Sequence, residues 1–301
     1  MTKEKLKVTI GTIEIKNPTI LAAGILGQTG ANLKRVLRSG AGAVVTKSIG
    51  PKPREGYSGP NIVQTPCGLL NAMGLPNPGM ENMVEEIETV KEKGGTVIGS
   101  IFGEGLEEFK KLSRKMEEAG VDAVELNLSC PHAKKLSTIG NDPEMAERIT
   151  KGVSKESDAP IWTKLPGNTN ISNLLEVAQS VQKAGADAIT IANTFPGMAI
   201  DARAERPVLG HETGGLSGPA IKPIALRLIY EVYKKVDIPI IGSGGVMNGE
   251  DMIEYLLAGA SAVEIGTGIM WRDIDIFEKV CEEALPYLED RSVTKLIGSA
   301  H

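Results

Sequence analysis

Three kinds of residue stand where this chain could do chemistry: a thiol beside amides, lysines that close apolar runs, and glycines that close two more. The thiol is Cys130, in Asn127-Leu128-Ser129-Cys130-Pro131-His132, where the apolar run 123–128 gives way to a polar loop. A cysteine so placed can act as base, nucleophile or metal ligand, or simply fill space as a small apolar residue. Lys47 follows Val44-Val45-Thr46, and Lys164 follows Ile161-Trp162-Thr163. A lysine aimed inward from a strand end can neutralise a phosphate, a substrate carboxylate or the anion of a reduced cofactor. The amides are Asn71 in Asn71-Ala72-Met73-Gly74-Leu75, Asn127, and Asn193 followed by Thr194. An amide both donates and accepts, so several together suit an edge of alternating N–H and C=O, as on a pyrimidine. Singly, each also suits a turn.

The glycines lie in Ile241-Gly242-Ser243-Gly244-Gly245 and Ile265-Gly266-Thr267-Gly268. Each run offers backbone amides at a strand end, the way the last two strands of a barrel often hold a phosphate. The alternative is a pair of tight turns. Gly242-Ser243-Gly244 is not a dinucleotide fingerprint, because Met247 stands where the third glycine belongs. A mononucleotide phosphate is therefore expected rather than NAD. Of the three cysteines, Cys67 and Cys281 read as packing residues. His132 and His211 form no metal-ligand spacing with Cys130, so no metal site is expected. A Cys–His hydrolytic pair would leave the glycine loops without a role.

These residues need a scaffold that brings strand ends together. One phrase recurs at residues 40–45, 119–124, 184–189 and 258–263, each time a small residue, Gly, and then an apolar run. It predicts an amphipathic helix closed by a glycine and followed by a buried strand. Further strand-sized apolar runs lie at 20–24, 96–102, 160–165 and 239–242, making eight strands. Helical patterns follow them at 31–39, 78–93, 106–119, 143–155, 171–184, 219–235, 249–258 and 275–288, the fourth capped by Asp142. Eight βα units with unbroken apolar strands predict an α/β fold, a (β/α)8 TIM barrel, with a doubly wound sheet as the alternative. Residues 8–15 read as an N-terminal β-hairpin plugging one end. Two connections, 50–77 and 195–217, are too long for links and should overhang the face that carries Cys130. Residues 133–142 could cover it. Nothing divides the chain, so one domain over 1–301 is expected.

Composition narrows the partners. Of 301 residues 41% are hydrophobic and 24% charged, with a net charge of −5 and only 4% aromatics. That balance gives no support for binding nucleic acid or an anionic membrane surface. No apolar run approaches the roughly 20 residues of a membrane span, and no leader is evident at the start, so a cytoplasmic protein is expected.

The constellation resembles the class 1 dihydroorotate dehydrogenases. The resemblance rests on Asn127-Leu128-Ser129-Cys130-Pro131, Asn71-Ala72-Met73-Gly74-Leu75-Pro76-Asn77, Gly214-Gly215-Leu216-Ser217-Gly218 and the two glycine loops, and runs over about residues 17–272. Asn-Ala-Met-Gly-Leu is more similar to the NAD-linked class 1B catalytic subunit than to the fumarate-linked class 1A. The resemblance implies an FMN barrel that oxidises dihydroorotate to orotate in pyrimidine biosynthesis. Cys130 would take the C5 proton while hydride passes from C6 to flavin N5. It implies substrate contacts at Lys47, Asn71, Ala72, Met73, Gly74, Leu75, Asn127, Asn193 and Thr194. It implies FMN contacts at Ala23, Lys47, Ser48, Ser100, Asn127, Lys164, Ala192, Gly218, Gly244, Gly245, Gly266 and Thr267. Ala23 and Ser100 stand where many members have Ser and Asn, and His132 replaces a common Asn. Asn-Leu-Ser-Cys-Pro-His is also similar to the barrel domain of dihydropyrimidine dehydrogenase, which makes that activity an alternative. A phosphate-ligand binding barrel without catalysis is another.

The chain has neither a cysteine cluster for an iron–sulfur centre nor a dinucleotide fingerprint. Passing electrons to NAD would therefore require a second subunit. The resemblance implies one carrying FAD and [2Fe–2S], in a heterotetramer built on a homodimer of this chain.

Overall fold

The structure is a computed structural model that describes residues 3–129 and 139–301, so Cys130 and His132 lie outside the described residues. The chain opens with strands β1 (Val8–Ile10) and β2 (Ile13–Ile15), paired antiparallel. This is the expected hairpin. Its Gly11 turn lies against Asp187, at the amino end of a barrel strand.

The barrel strands are β3 (Thr19–Leu21), β4 (Ala43–Val45), β7 (Val97–Ile101), β8 (Ala123–Asn127), β9 (Ile161–Lys164), β10 (Ala188–Ile191), β15 (Ile240–Ser243) and β16 (Ala260–Ile265). All neighbours pair parallel, and β16 returns to β3 to close the ring. Between β4 and β7 come β5 (Ile62–Thr65) and β6 (Gly68–Asn71). After β10 come β11 (Phe195–Met198), β12 (Ile200–Asp201), β13 (Arg206–Pro207) and β14 (Thr213–Ser217). The predicted (β/α)8 barrel is what forms, and no doubly wound sheet does.

The repeated phrase works as its chemistry requires. Gly40, Gly120, Gly185 and Gly259 have φ of +103°, +84°, +95° and +113°, a region where a side chain is strained. Each expected helical pattern contains a helix. In Leu106–Glu118, for example, Phe109, Leu112, Ser113 and Met116 are buried at helical spacing. Burying a side chain such as Phe109 contributes about 1.5–3 kcal/mol, so packing on the barrel holds these helices more than propensity does. Asp142 caps the helix Pro143–Ser154, accepting from the amides of Glu144 and Met145. The pattern at 219–235 begins with a 3-10 turn, Pro219–Ile221, before the helix Lys222–Tyr233. A short helix, Ile269–Arg272, was not expected.

The two long connections do more than overhang the barrel mouth. They pair with each other in an antiparallel sheet of order β11-β14-β6-β5. Gly215 sits opposite Asn71, and the Asn71 side chain donates to the Gly215 carbonyl at 3.2 Å. Leu70, Ala72 and Leu209 form a small core beneath this sheet, separate from the main one.

Candidate active site

At the carboxyl ends of the barrel strands, under the antiparallel sheet, lies a cavity of about 500 Å³. That is the size and place expected of a ligand site in a barrel. The strand ends contribute Ala23, Lys47, Ser48, Asn127, Lys164 and Ala192, and the loop after β10 adds Asn193 and Thr194. The covering sheet and its continuation bring Asn71, Met73, Gly74 and Leu75. Gly218, Gly244, Gly245, Gly266 and Thr267 line the same cavity. Two expected contact residues do not line it. Ala72 is buried with Leu70 and Leu209, and Ser100 lies behind Ser48. Cys130 falls outside the described residues; the strand end that carries it is described as far as Ser129.

Hydrogen bonds set the direction of the amides. The Asn127 carbonyl accepts from the Ser129 amide at 3.2 Å and from its hydroxyl at 2.8 Å, while its NH2 donates to Ser48 Oγ at 3.0 Å. The Asn193 NH2 donates to Ser129 Oγ at 2.9 Å, and its carbonyl accepts from the Thr194 amide at 2.7 Å. Ser100 donates to Glu125 at 3.1 Å, so its one hydrogen is spent and Ser48 must be the donor in the 2.9 Å contact between them. A one-way chain therefore runs from Asn193 down to Glu125, with Thr190 donating to the other Glu125 oxygen at 3.1 Å.

Beneath the cavity the barrel holds charge. Lys164 donates to a Glu264 carboxylate oxygen in a pair buried at both ends. Burial opposes the Lys164 charge more than any other single influence, yet Glu264 and Glu125 together raise its pKa. For Glu125, burial is the largest effect and pushes the carboxyl up to about 7; Glu264 adds to that, while Lys164 and the Ser100 and Thr190 hydroxyls oppose it. Among the described residues, the charged ones lining the cavity are Lys47, Lys164 and Glu264, an excess of one cation, which suits an anionic ligand.

The glycine loops are braced from behind. Tyr255 donates to the Gly244 carbonyl at 2.5 Å, and Arg272 donates to the Met247 carbonyl at 2.8 Å. Lys222 joins Asp251 and Glu254 at 2.6 and 2.7 Å. Asn248 and Asp251 form a capping box on the helix Gly249–Leu257. That helix end is spent on its own cap, so any anion contact here comes from the loop amides. A Cβ on Gly245 would stand 2.8 Å from the Gly218 carbonyl, so this close approach of the two loops requires glycine at 245. Glycine-rich loops, side-chain amides and lysines lining one cavity fit a phosphorylated ligand beside a flat polar ring.

Sequence reasoning missed the loop after β3, whose Gly24, Ile25, Leu26, Gly27 and Gln28 line the cavity. Gly27 accepts from the Lys47 amide at 2.8 Å and so helps to seat that lysine. It also missed Glu125 and Glu264. The available signal was a carboxylate inside an otherwise apolar strand, which is retained only when partnered.

The comparisons agree with this geometry. The family model described as dihydroorotate dehydrogenase matches residues 5–288. A protein of Methanocaldococcus jannaschii named dihydroorotate dehydrogenase B (NAD(+)), catalytic subunit, is 48% identical over 98% of each chain. Proteins of the same name from Pyrococcus furiosus, 48% identical over 98% of each chain, and Methanocella arvoryzae, 45% identical over 99% of this chain and 98% of that one, are equally full-length matches. Among solved structures, DHODH of Eimeria tenella in complex with ferulenol superposes with a TM-score of 0.86 at 22% identity, covering 98% of this chain and 88% of that one, a likeness of fold. With the family model matched along nearly the whole barrel, the chain belongs to the dihydroorotate dehydrogenase family.

Proposed function

We propose that this chain is the catalytic subunit of an NAD-linked dihydroorotate dehydrogenase, a single barrel domain over residues 1–301 that binds FMN and oxidises dihydroorotate to orotate in pyrimidine biosynthesis. The observation that carries the reading is one cavity lined both by the glycines after the last two barrel strands and by Asn71, Asn127 and Asn193. The names of the relatives support the substrate and the electron acceptor. Gly218, Gly244, Gly245, Gly266 and Thr267 would hold the FMN phosphate, and Ala23, Ser48, Ala192 and Lys164 its ring, with Ser100 reaching it only through Ser48. When bound, FMN supplies the two-electron acceptor for the hydride.

The chain's own residues do the rest. Lys47 and the amides of Asn71, Asn127 and Asn193 bind the substrate's carboxylate and its alternating ring edge, with Thr194 beside them. Met73, Gly74 and Leu75, with Ala72 packed behind them, shape the cover that excludes water. Cys130 removes the C5 proton. Lys164 would offer positive charge to the ring from the cavity wall. A partner subunit, in a heterotetramer around a homodimer of this chain, would carry the FAD and [2Fe–2S] that accept the electrons. The relatives' designation as catalytic subunits supports a partner. Among the described residues no helix is long and apolar enough to cross a membrane, which is compatible with a cytoplasmic site of action.

The test is anaerobic. Addition of dihydroorotate to the FMN-loaded chain should bleach the flavin absorbance and dihydrouracil should not. A chain that takes up no FMN, or whose flavin stays oxidised, defeats the reading. A second expectation concerns Gly74, whose φ is +74° and whose Cβ would stand 2.7 Å from the Tyr57 amide nitrogen. Tyr57 is itself fixed, stacked on His211 at 3.9 Å. Gly74→Ala should displace Met73 and Leu75, weakening orotate binding about tenfold with FMN affinity unchanged, as read by calorimetry.

A further inference from the structure

Glu264 is a carboxylate in the wall of a cavity read as holding an anion. Its side chain has 0% exposure against 7% for Lys164, and one of its oxygens accepts directly from the Lys164 ammonium. Its other oxygen has no hydrogen-bond partner among the described residues. No ligand-binding role accounts for it, because its negative charge works against the phosphate and against a reduced flavin. A buried, half-satisfied carboxylate is expensive to keep. Its position bears on one thing above all, the charge that Lys164 presents to the cavity.

We propose that Glu264 is a positioning residue that holds Lys164 in the cavity wall and, by offsetting part of its charge, would make the reduced flavin a stronger reductant. This rests on the FMN reading above and deepens it. Lys164 alone would stabilise the anionic reduced ring strongly and lower its tendency to give up electrons. A carboxylate in contact with that ammonium returns part of the driving force. An enzyme that must hand two electrons on to a nicotinamide needs that more than one that hands them to a stronger oxidant. Glu125, one layer deeper, acts on Lys164 in the same sense but from outside the cavity lining. The stoichiometry is unchanged: a hydride and a proton leave the substrate, which is two electrons and two protons, and the flavin passes the two electrons to the partner and releases the proton that came with the hydride.

The experiment is a spectroelectrochemical titration of the FMN-loaded chain, comparing wild type with Glu264→Gln. Glutamine keeps the shape and an acceptor for Lys164 but removes the charge. Reduced FMN should bind about tenfold more tightly relative to oxidised FMN, a rise in midpoint potential of about 30 mV for two electrons. Glu264→Asp keeps the charge and should stay near the wild-type value. If Glu264→Gln does not fold, Glu125→Gln reads the same field and should shift the potential upward by less. Wild type failing to bind FMN would refute the functional reading itself. Wild type binding FMN with an unshifted potential in the folded glutamine variants would refute the role of Glu264 alone.

Discussion

Replacing Lys164 by methionine is expected to lower the stability of the flavin-free protein by about 3–5 kcal/mol and to abolish tight FMN binding. The large figure follows from burial. Glu264 would stay buried without the ammonium it now pairs with, and Glu125 would lose the strongest of the groups that favour its ionised form. Breaking a buried pair at one end is far more damaging than replacing the whole pair by neutral groups. The double variant Lys164→Met, Glu264→Gln should therefore recover most of the lost stability while still failing to bind FMN tightly. Urea denaturation of the flavin-free proteins and an FMN titration separate the two roles. A single variant as stable as wild type, or a double variant no better than the single, would show that the pair carries no such structural load.

Cys130→Ala should leave FMN bound but slow flavin reduction by dihydroorotate at least about 10²-fold at neutral pH. Of the groups proposed to contact the substrate, the amides of Asn71, Asn127 and Asn193 are not bases, and Lys47 is assigned to its carboxylate. Cys130→Ser should recover part of the rate only at higher pH, because a hydroxyl gives up its proton less readily than a thiol. Stopped-flow traces under anaerobic conditions provide the measurement. Near-normal reduction by the alanine variant at neutral pH would remove Cys130 from the role of base.

Much of this protein can be read along the chain because its signals are local. A glycine after a helix, followed by Ala-Val or Ala-Ile, announces a left-handed residue and a buried strand wherever it occurs. Eight such apolar runs, each with a helical pattern behind it, leave few folds other than a barrel. Asn127, Lys47 and Lys164 stand out because each is polar at the end of an apolar strand, which is where a barrel builds its site. The glycine loops stand out by the same local logic, each closing an apolar strand at the mouth of the cavity.

What the chain alone does not reveal is pairing over distance. Asn71 meets Gly215 across 144 residues, and Lys164 meets Glu264 across 100. No periodicity encodes either contact, so the two long loops read as separate overhangs and not as one sheet.

The sequence by itself therefore determined the barrel, the order of its elements and the residue types at its mouth, because strand burial and helix ends are written within a few residues. Tertiary structure decided which of those residues share a cavity, which way the amides of Asn127 and Asn193 point, and that two carboxylates lie beneath Lys164. The physical reason is closure. Once β16 pairs with β3, side chains distant in sequence are forced into one interior of low dielectric, where charge survives only with a partner.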